Sequence, residues 1–150
     1  MMFLIVLSSP SGSGKTYLAK ILAERYRAEY LSFDDMKLRS HSDMTVKITQ
    51  YLNEGKNVIA DSLYDRVTQR EELLQAVSKY SCRKVLYHLT TSLEECLLRN
   101  ARREGKARLP DWVIESIYKT FENPTLSEGW DEIIIVKEDG SHETIHENNP

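Results

Sequence analysis

The sequence predicts an α/β fold, a three-layer sandwich in which helices cover both faces of a mainly parallel, five-stranded sheet. Three observations predict it. Short apolar runs alternate with stretches of helical periodicity along the 150 residues, the order that builds parallel strands joined by crossover helices. The first run, Phe3 to Leu7, is continuously apolar, as a strand buried on both faces requires. Polar residues then follow the strand runs directly, where open α/β sheets bind their ligands.

Taken in order, Phe3 to Leu7 is the first strand, and Lys15 to Arg27 is helical through Leu18, Ile21, Leu22 and Tyr26. Glu29 to Phe33 is the second strand. Met44, Ile48, Tyr51 and Leu52 mark a helix ending near Gly55, a C′ glycine. Val58 to Ala60 is the third strand and ends at Asp61. Arg66 to Lys79 is a helix through Leu73, Leu74 and Val77. Lys84 to Leu89 is the fourth strand. Ser92 and Glu95 form a capping box opening a helix to about Arg103, which Gly105 breaks. Pro110 and Asp111 start another helix, with Val113, Ile114, Ile117, Tyr118 and Phe121 on one face, and Asn123-Pro124 stops it. Glu132 to Val136 is the fifth strand. Asp139-Gly140 is a turn, so Ser141 to His146 folds back as a possible C-terminal edge strand.

The bulk numbers bound the function. The length suits one domain over residues 1–150. A net charge of −3 excludes a bulk polyanion binder. Charge is nevertheless uneven. Arg99, Arg102, Arg103, Lys106 and Arg108 crowd one segment against Glu104, and the tail from Glu138 to Glu147 is acidic. Cys82 and Cys96 form no metal-type cluster and read as reduced thiols in a cytoplasmic setting. The apolar opening is too short to span a membrane and lacks a signal peptide's basic flank.

The chemistry is carried by Ser9-Pro10-Ser11-Gly12-Ser13-Gly14-Lys15-Thr16, set between strand and helix. It matches the phosphate-binding P-loop, with Ser9 where the first glycine normally sits. Small residues let the backbone N–H groups of Ser11, Gly12, Ser13 and Gly14 approach phosphate oxygens at a helix N-terminus. Lys15 supplies a cation for the β- and γ-phosphates, and Thr16 a hydroxyl for Mg²⁺. ATP with Mg²⁺ is the expected cofactor. A guanine-reading Asn-Lys-x-Asp motif is absent. A motor or AAA-type ATPase would need more chain for its sensing subdomain. A small kinase remains, with a P-loop kinase-like fold and a helical lid formed by the basic segment Arg99 to Arg108. In that lid Arg99 and Arg103 are expected to reach the nucleotide and clamp the transferring phosphate; a solvated basic helix end is the plain alternative.

Asp34, just after the second strand, is positioned to orient an acceptor hydroxyl and take its proton, with Asp35 beside it for substrate binding. Either could instead cap the next helix. Asp61 ends its strand as a Walker-B-type acid does, holding Mg²⁺ with Thr16, or else caps a helix. His142-Glu143-Thr144-Ile145-His146 spells the zincin pattern, but lies beyond a turn with β-branched residues, so an edge strand is expected rather than a zinc helix. His41 is expected to face solvent or the acceptor, and His88 to be structural. Trp112 and Trp130 are expected to pack in core or lid; Trp112 could also stack on a base.

From Phe3 to about Val136 the chain resembles the 5′-kinase domain of phage-type polynucleotide kinase and the small P-loop kinases around it. The likeness is carried by the phosphate loop, Ser32-Phe33-Asp34-Asp35-Met36-Lys37, Val58-Ile59-Ala60-Asp61-Ser62-Leu63, Leu98-Arg99-Asn100-Ala101-Arg102-Arg103 and Leu109-Pro110-Asp111-Trp112-Val113. The resemblance implies γ-phosphate transfer from ATP to a hydroxyl, favouring a nucleic-acid 5′-OH end, with Lys37 and Arg39 on its phosphates. The same group includes kinases of small molecules and nucleosides. A non-catalytic nucleotide-binding module would need neither Asp34 nor Arg103.

Overall fold

In the computed structural model, which describes residues 1–146, thirteen short elements include six strands and five α-helices. The strands are β1 (Met2–Leu7), β2 (Glu29–Ser32), β3 (Val58–Asp61), β4 (Cys82–Thr90), β5 (Glu132–Lys137) and β6 (His142–His146). The helices are α1 (Lys15–Tyr26), α2 (His41–Asn53), α3 (Val67–Val77), α4 (Leu93–Ala101) and α5 (Asp111–Thr120). One sheet runs β2-β3-β1-β4-β5-β6. The first five strands pair in parallel, and β6 closes the edge antiparallel to β5. The mainly parallel sheet and the edge strand are thus as the sequence predicts.

The two faces carry separate cores. Val6, Ala60 and Leu86 join Met44, Ile48, Leu73 and Val77 on the side of α2 and α3. Ile5, Leu7, Ile59 and Val85 join Ala19 and Leu22 of α1 on the other. The period-2 alternation of β1 explains this division, since successive side chains point to opposite faces. Ile21, expected on the buried stripe of α1, is instead 36% exposed.

Register places the site. Leu7 of β1 pairs with Asp61 of β3 and with Tyr87 of β4, and Ser32 of β2 also pairs with Asp61. The ends of β1, β2 and β3 are therefore level, while β4 runs on to Thr90, and the loops after them meet. Crossover helices run back along parallel strands, so their N-termini gather at the same edge.

One expectation changes at the periphery. Trp130 is buried, but Trp112 is 70% exposed on α5 and belongs to no core. The His142 to His146 segment is, as expected, an edge strand and not a zinc-binding helix. Of the acidic tail, Glu147 lies outside the described residues; Glu138 accepts from the Ser92 backbone N–H and hydroxyl at 3.1 and 2.9 Å. Both cysteines are free and buried. Among the described residues no helix is long and apolar enough to cross a membrane.

Candidate active site

The chain leaves β1 at Leu7 and turns into α1 through Gly14, whose φ of 94° a non-glycine residue rarely adopts. No side chain caps α1, so its first N–H groups are free for an anion. Gly12, at φ 84°, faces a second constraint. A Cβ there would lie 2.7 Å from the backbone oxygen of Cys96 in α4. The loop and α4 therefore approach as closely as only glycine permits. The Ser13 hydroxyl is buried without a hydrogen-bond partner among the described residues, an orphan group that suits a phosphate oxygen.

Ser9 does not need glycine's torsion, for it is not among the positive-φ residues. Its hydroxyl donates to the Ser8 carbonyl at 2.7 Å and accepts from the Leu89 N–H at 2.7 Å. The serine thus ties the loop to β4, a job glycine cannot do. Thr91 adds a second tie, donating to the Ser13 carbonyl at 3.0 Å.

Thr16 donates to Oδ2 of Asp61 at 3.0 Å, and the Tyr30 hydroxyl donates to the same oxygen at 2.6 Å. Asp61 is buried at the last position of β3, and α3 begins only at Val67 behind the cap residue Arg66. Asp61 is therefore no helix cap. Burial first, and the Asp61 bond second, raise the Tyr30 pKa well above its ordinary value, which keeps it a donor. A carboxylate next to a threonine hydroxyl is an all-oxygen donor set of the kind Mg²⁺ takes.

Asp34 and Asp35 lie exposed on the turn after β2. Neither caps α2, because Ser40 does, accepting from the Asp43 N–H at 3.3 Å. Desolvation pushes the Lys15 ammonium below the usual lysine range; Asp61 and then Asp34 pull it back, and Arg103 lowers it. Lys15, Asp61, Asp34 and Arg103 thus share one electrostatic neighbourhood. Lys37 is exposed at φ 52°, and Arg39 is exposed with its backbone N–H on Asp43.

The basic segment is divided in two. Arg99, on the last turn of α4, holds Glu95 at 3.2 Å and donates to the Gly12 carbonyl at 3.4 Å. Arg103 follows the helix end. Arg102, Lys106 and Arg108 are exposed, the last two around a 3-10 turn at Gly105–Ala107. Fully buried Asn100 donates to the Leu109 carbonyl at 2.7 Å and accepts from the Leu109 N–H at 2.9 Å. One amide therefore closes the whole excursion from 101 to 108. A cavity of about 280 Å³ opens beside the loop between Gly14, Tyr17, Ile21, Arg99, Val136 and Gly140.

Sequence reasoning missed Tyr30, Asn100 and the support beneath the loop. The Ser8 hydroxyl donates to the Tyr64 carbonyl at 2.8 Å, and the buried Arg70 guanidinium donates to that carbonyl at 2.6 Å. Arg70 also forks onto Glu128 at 2.8 and 3.1 Å. Buried His88, stacked on Phe121, donates through Nδ1 to the Ser8 carbonyl at 2.7 Å.

Burial lowers the His88 pKa against the pull of Ser8, and burial lowers that of His41 as well. The unfolded chain therefore binds protons near pH 6.5 that the folded chain refuses. Stability should be full above that value and fall as pH drops below it. Urea midpoints at pH 7.5 and 5.5 should show this fall; a midpoint that rises on acidification would contradict these two environments.

The model of one family, described as an AAA domain, matches residues 4–124. An adenylate kinase of Chloroherpeton thalassium is 26% identical over 94% of this chain and 77% of its own length. A sugar kinase structure from Janibacter sp. HTCC2649 superimposes with a TM-score of 0.76 at 18% identity, covering 93% of this chain and 87% of that one. Kti12 of Chaetomium thermophilum, solved with ADP-AlF3, gives 0.73 at 19% identity over 89% and 88%. These likenesses show a P-loop kinase-like, nucleotide-binding fold. The sequence reading sets an AAA-type ATPase aside, yet the matching family bears the AAA name.

Proposed function

This chain belongs to the AAA domain family, and on that footing we propose that it is an ATP-dependent kinase that phosphorylates an alcohol. The observation that carries this reading is the shared electrostatic surroundings of Lys15, which Asp61 and Asp34 stabilise as a cation and Arg103 opposes. A nucleotide-binding module needs the loop, but has no use for an acid facing it from the acceptor side.

ATP would be held by the N–H groups of Ser11 to Gly14, by Lys15 and by Arg99. The 280 Å³ cavity beside Arg99 offers room for its base. Thr16 and Asp61 would hold Mg²⁺, which when bound offsets charge on the β- and γ-phosphates. Asp34 orients the acceptor hydroxyl towards the γ-phosphate and accepts its proton. Lys15 and Arg103 stabilise the charge that spreads over the transferring group. The excursion closed by Asn100 keeps Arg103 near the loop, with Arg102, Lys106 and Arg108 exposed to solvent. The acceptor favoured here is a small-molecule hydroxyl. The second reading, a nucleic-acid 5′-OH end, is supported by exposed Lys37 and Arg39 after β2 and by the resemblance to polynucleotide kinase.

Asp34→Asn should lower kcat about 10²-fold, the low end for a positioned base, with the ATP Kd little changed. Asp35→Asn should be milder, since its backbone, not its carboxylate, is anchored, through its N–H to Ser32 at 3.2 Å. Steady-state kinetics with ATP titrations would check both. The reverse ranking would move the acid to Asp35.

A further inference from the structure

The first turns of α2 and α3 lie at the carboxyl edge of the sheet, beside the loops that carry Asp34 and Asp61. Between them is a cavity of about 180 Å³ lined by His41, Ser42, Thr45, Gln69 and Glu72. His41 ties this cavity to residues next to Asp61 and Asp34 in the chain. Its Nε2 pairs with the Ser62 hydroxyl at 3.0 Å, and its ring lies 4.5 Å from Tyr64 and 5.2 Å from Phe33. Ser62 follows Asp61, and Phe33 precedes Asp34.

The lining has a definite chemistry. Thr45 spends its proton on the His41 carbonyl at 2.9 Å and keeps its lone pairs. Gln69 uses its oxygen on the Arg66 N–H at 3.3 Å, so its amide protons remain available. Ser42 offers a hydroxyl, and Glu72 an acceptor-only carboxylate. Among the described residues no lysine or arginine lines the cavity. The charged groups acting on His41 are Asp65 and Glu72, both acids. Burial keeps the imidazole neutral at pH 7 despite them. Phosphate or carboxylate would meet repulsion here, whereas hydroxyl and ammonium groups would find partners.

We propose that this cavity is the acceptor subsite, and that the acceptor is a small polyol, sugar or amino sugar without a phosphate or carboxylate. The proposal rests on the kinase reading and names its substrate class. The acceptor would place a distal hydroxyl or amino group against Gln69, Thr45 and Glu72, and its reacting hydroxyl towards Asp34. It also bears on the second reading, because a terminal nucleotide would bring its own phosphate to an acidic wall.

The test is γ-phosphate transfer at saturating ATP to neutral polyols, sugars, amino sugars, their phosphate monoesters and a 5′-OH dinucleotide. Wild type, Glu72→Gln and Thr45→Val are compared; Glu72 is exposed, so its folding is not at risk. Transfer should favour unphosphorylated polyols. Glu72→Gln should raise acceptor KM about tenfold, the effect of about 1.4 kcal/mol, with kcat and the KM for ATP unchanged. Its penalty should be larger for amino sugars than for neutral ones. Preference for a phosphomonoester or the dinucleotide, or an unchanged acceptor KM in both variants, would overturn the subsite while leaving the kinase standing. If no alcohol is phosphorylated although ATP binds, the kinase reading fails, and calorimetric titration of the same compounds onto protein holding a non-hydrolysable ATP analogue decides the subsite. Binding weakened by Glu72→Gln upholds it, and no binding overturns it.

Discussion

Lys15→Ala should reduce phosphoryl transfer by at least about 10³-fold and leave the fold intact. Removing one preorganised donor from a transition-state oxyanion costs about 10²- to 10³-fold, and here the donor is a full cation serving phosphates that carry several charges. The structure also explains why folding should survive. Lys15 forms no salt bridge among the described residues, and its charge is held at a desolvation cost. Truncation removes that cost, so Tm should stay level or rise slightly. Single-turnover rates and thermal melts on the same preparation check both halves. Near-normal turnover in folded protein would contradict the phosphate-loop assignment.

Arg70→Met should destabilise the protein by about 3–5 kcal/mol, the usual loss when one partner of a buried ion pair is removed. The Arg70 and Glu128 side chains are 0% and 3% exposed. Glu128 would be left with the Trp130 indole N–H at 3.1 Å and the Thr125 N–H at 3.1 Å, but no counter-charge. The Tyr64 carbonyl would lose its 2.6 Å donor, at a residue already held at φ 42°, in a conformation that bulky residues avoid. The double change Arg70→Met with Glu128→Gln should recover much of the loss, because no buried charge then remains. Urea unfolding of the three variants at constant m would show this. A single-variant loss under about 1 kcal/mol would mean the pair carries little.

Arg70 also shows what the sequence conceals and what it reveals. Its position falls on the stripe Arg70, Leu73, Leu74 and Val77 that α3 buries, so a charge at core spacing was the available signal. Its partner, Glu128, is remote in sequence and reaches it only through the loop before β5, which no periodicity announces. The alternation of apolar runs and helical stretches, by contrast, is local, and it suffices to predict the parallel sheet. The phosphate loop was equally plain, since close backbone approach demands small residues at fixed spacing. Asp61 was ambiguous between cap and metal acid until β3 was seen to end there, six residues before α3. Asn100 was hidden because an asparagine at a helix end resembles any other polar residue. Trp112 misled because aromatic residues at helical spacing are more often packed than exposed.

The most direct measurement is the fate of label from γ-³²P-ATP when the protein is given Mg²⁺ and a panel of alcohols. The account predicts that label moves to an organic phosphate ester, that transfer needs Lys15, and that Asp34→Asn slows it without loss of ATP binding. Label recovered only as inorganic phosphate, or left on ATP with every acceptor, would contradict it.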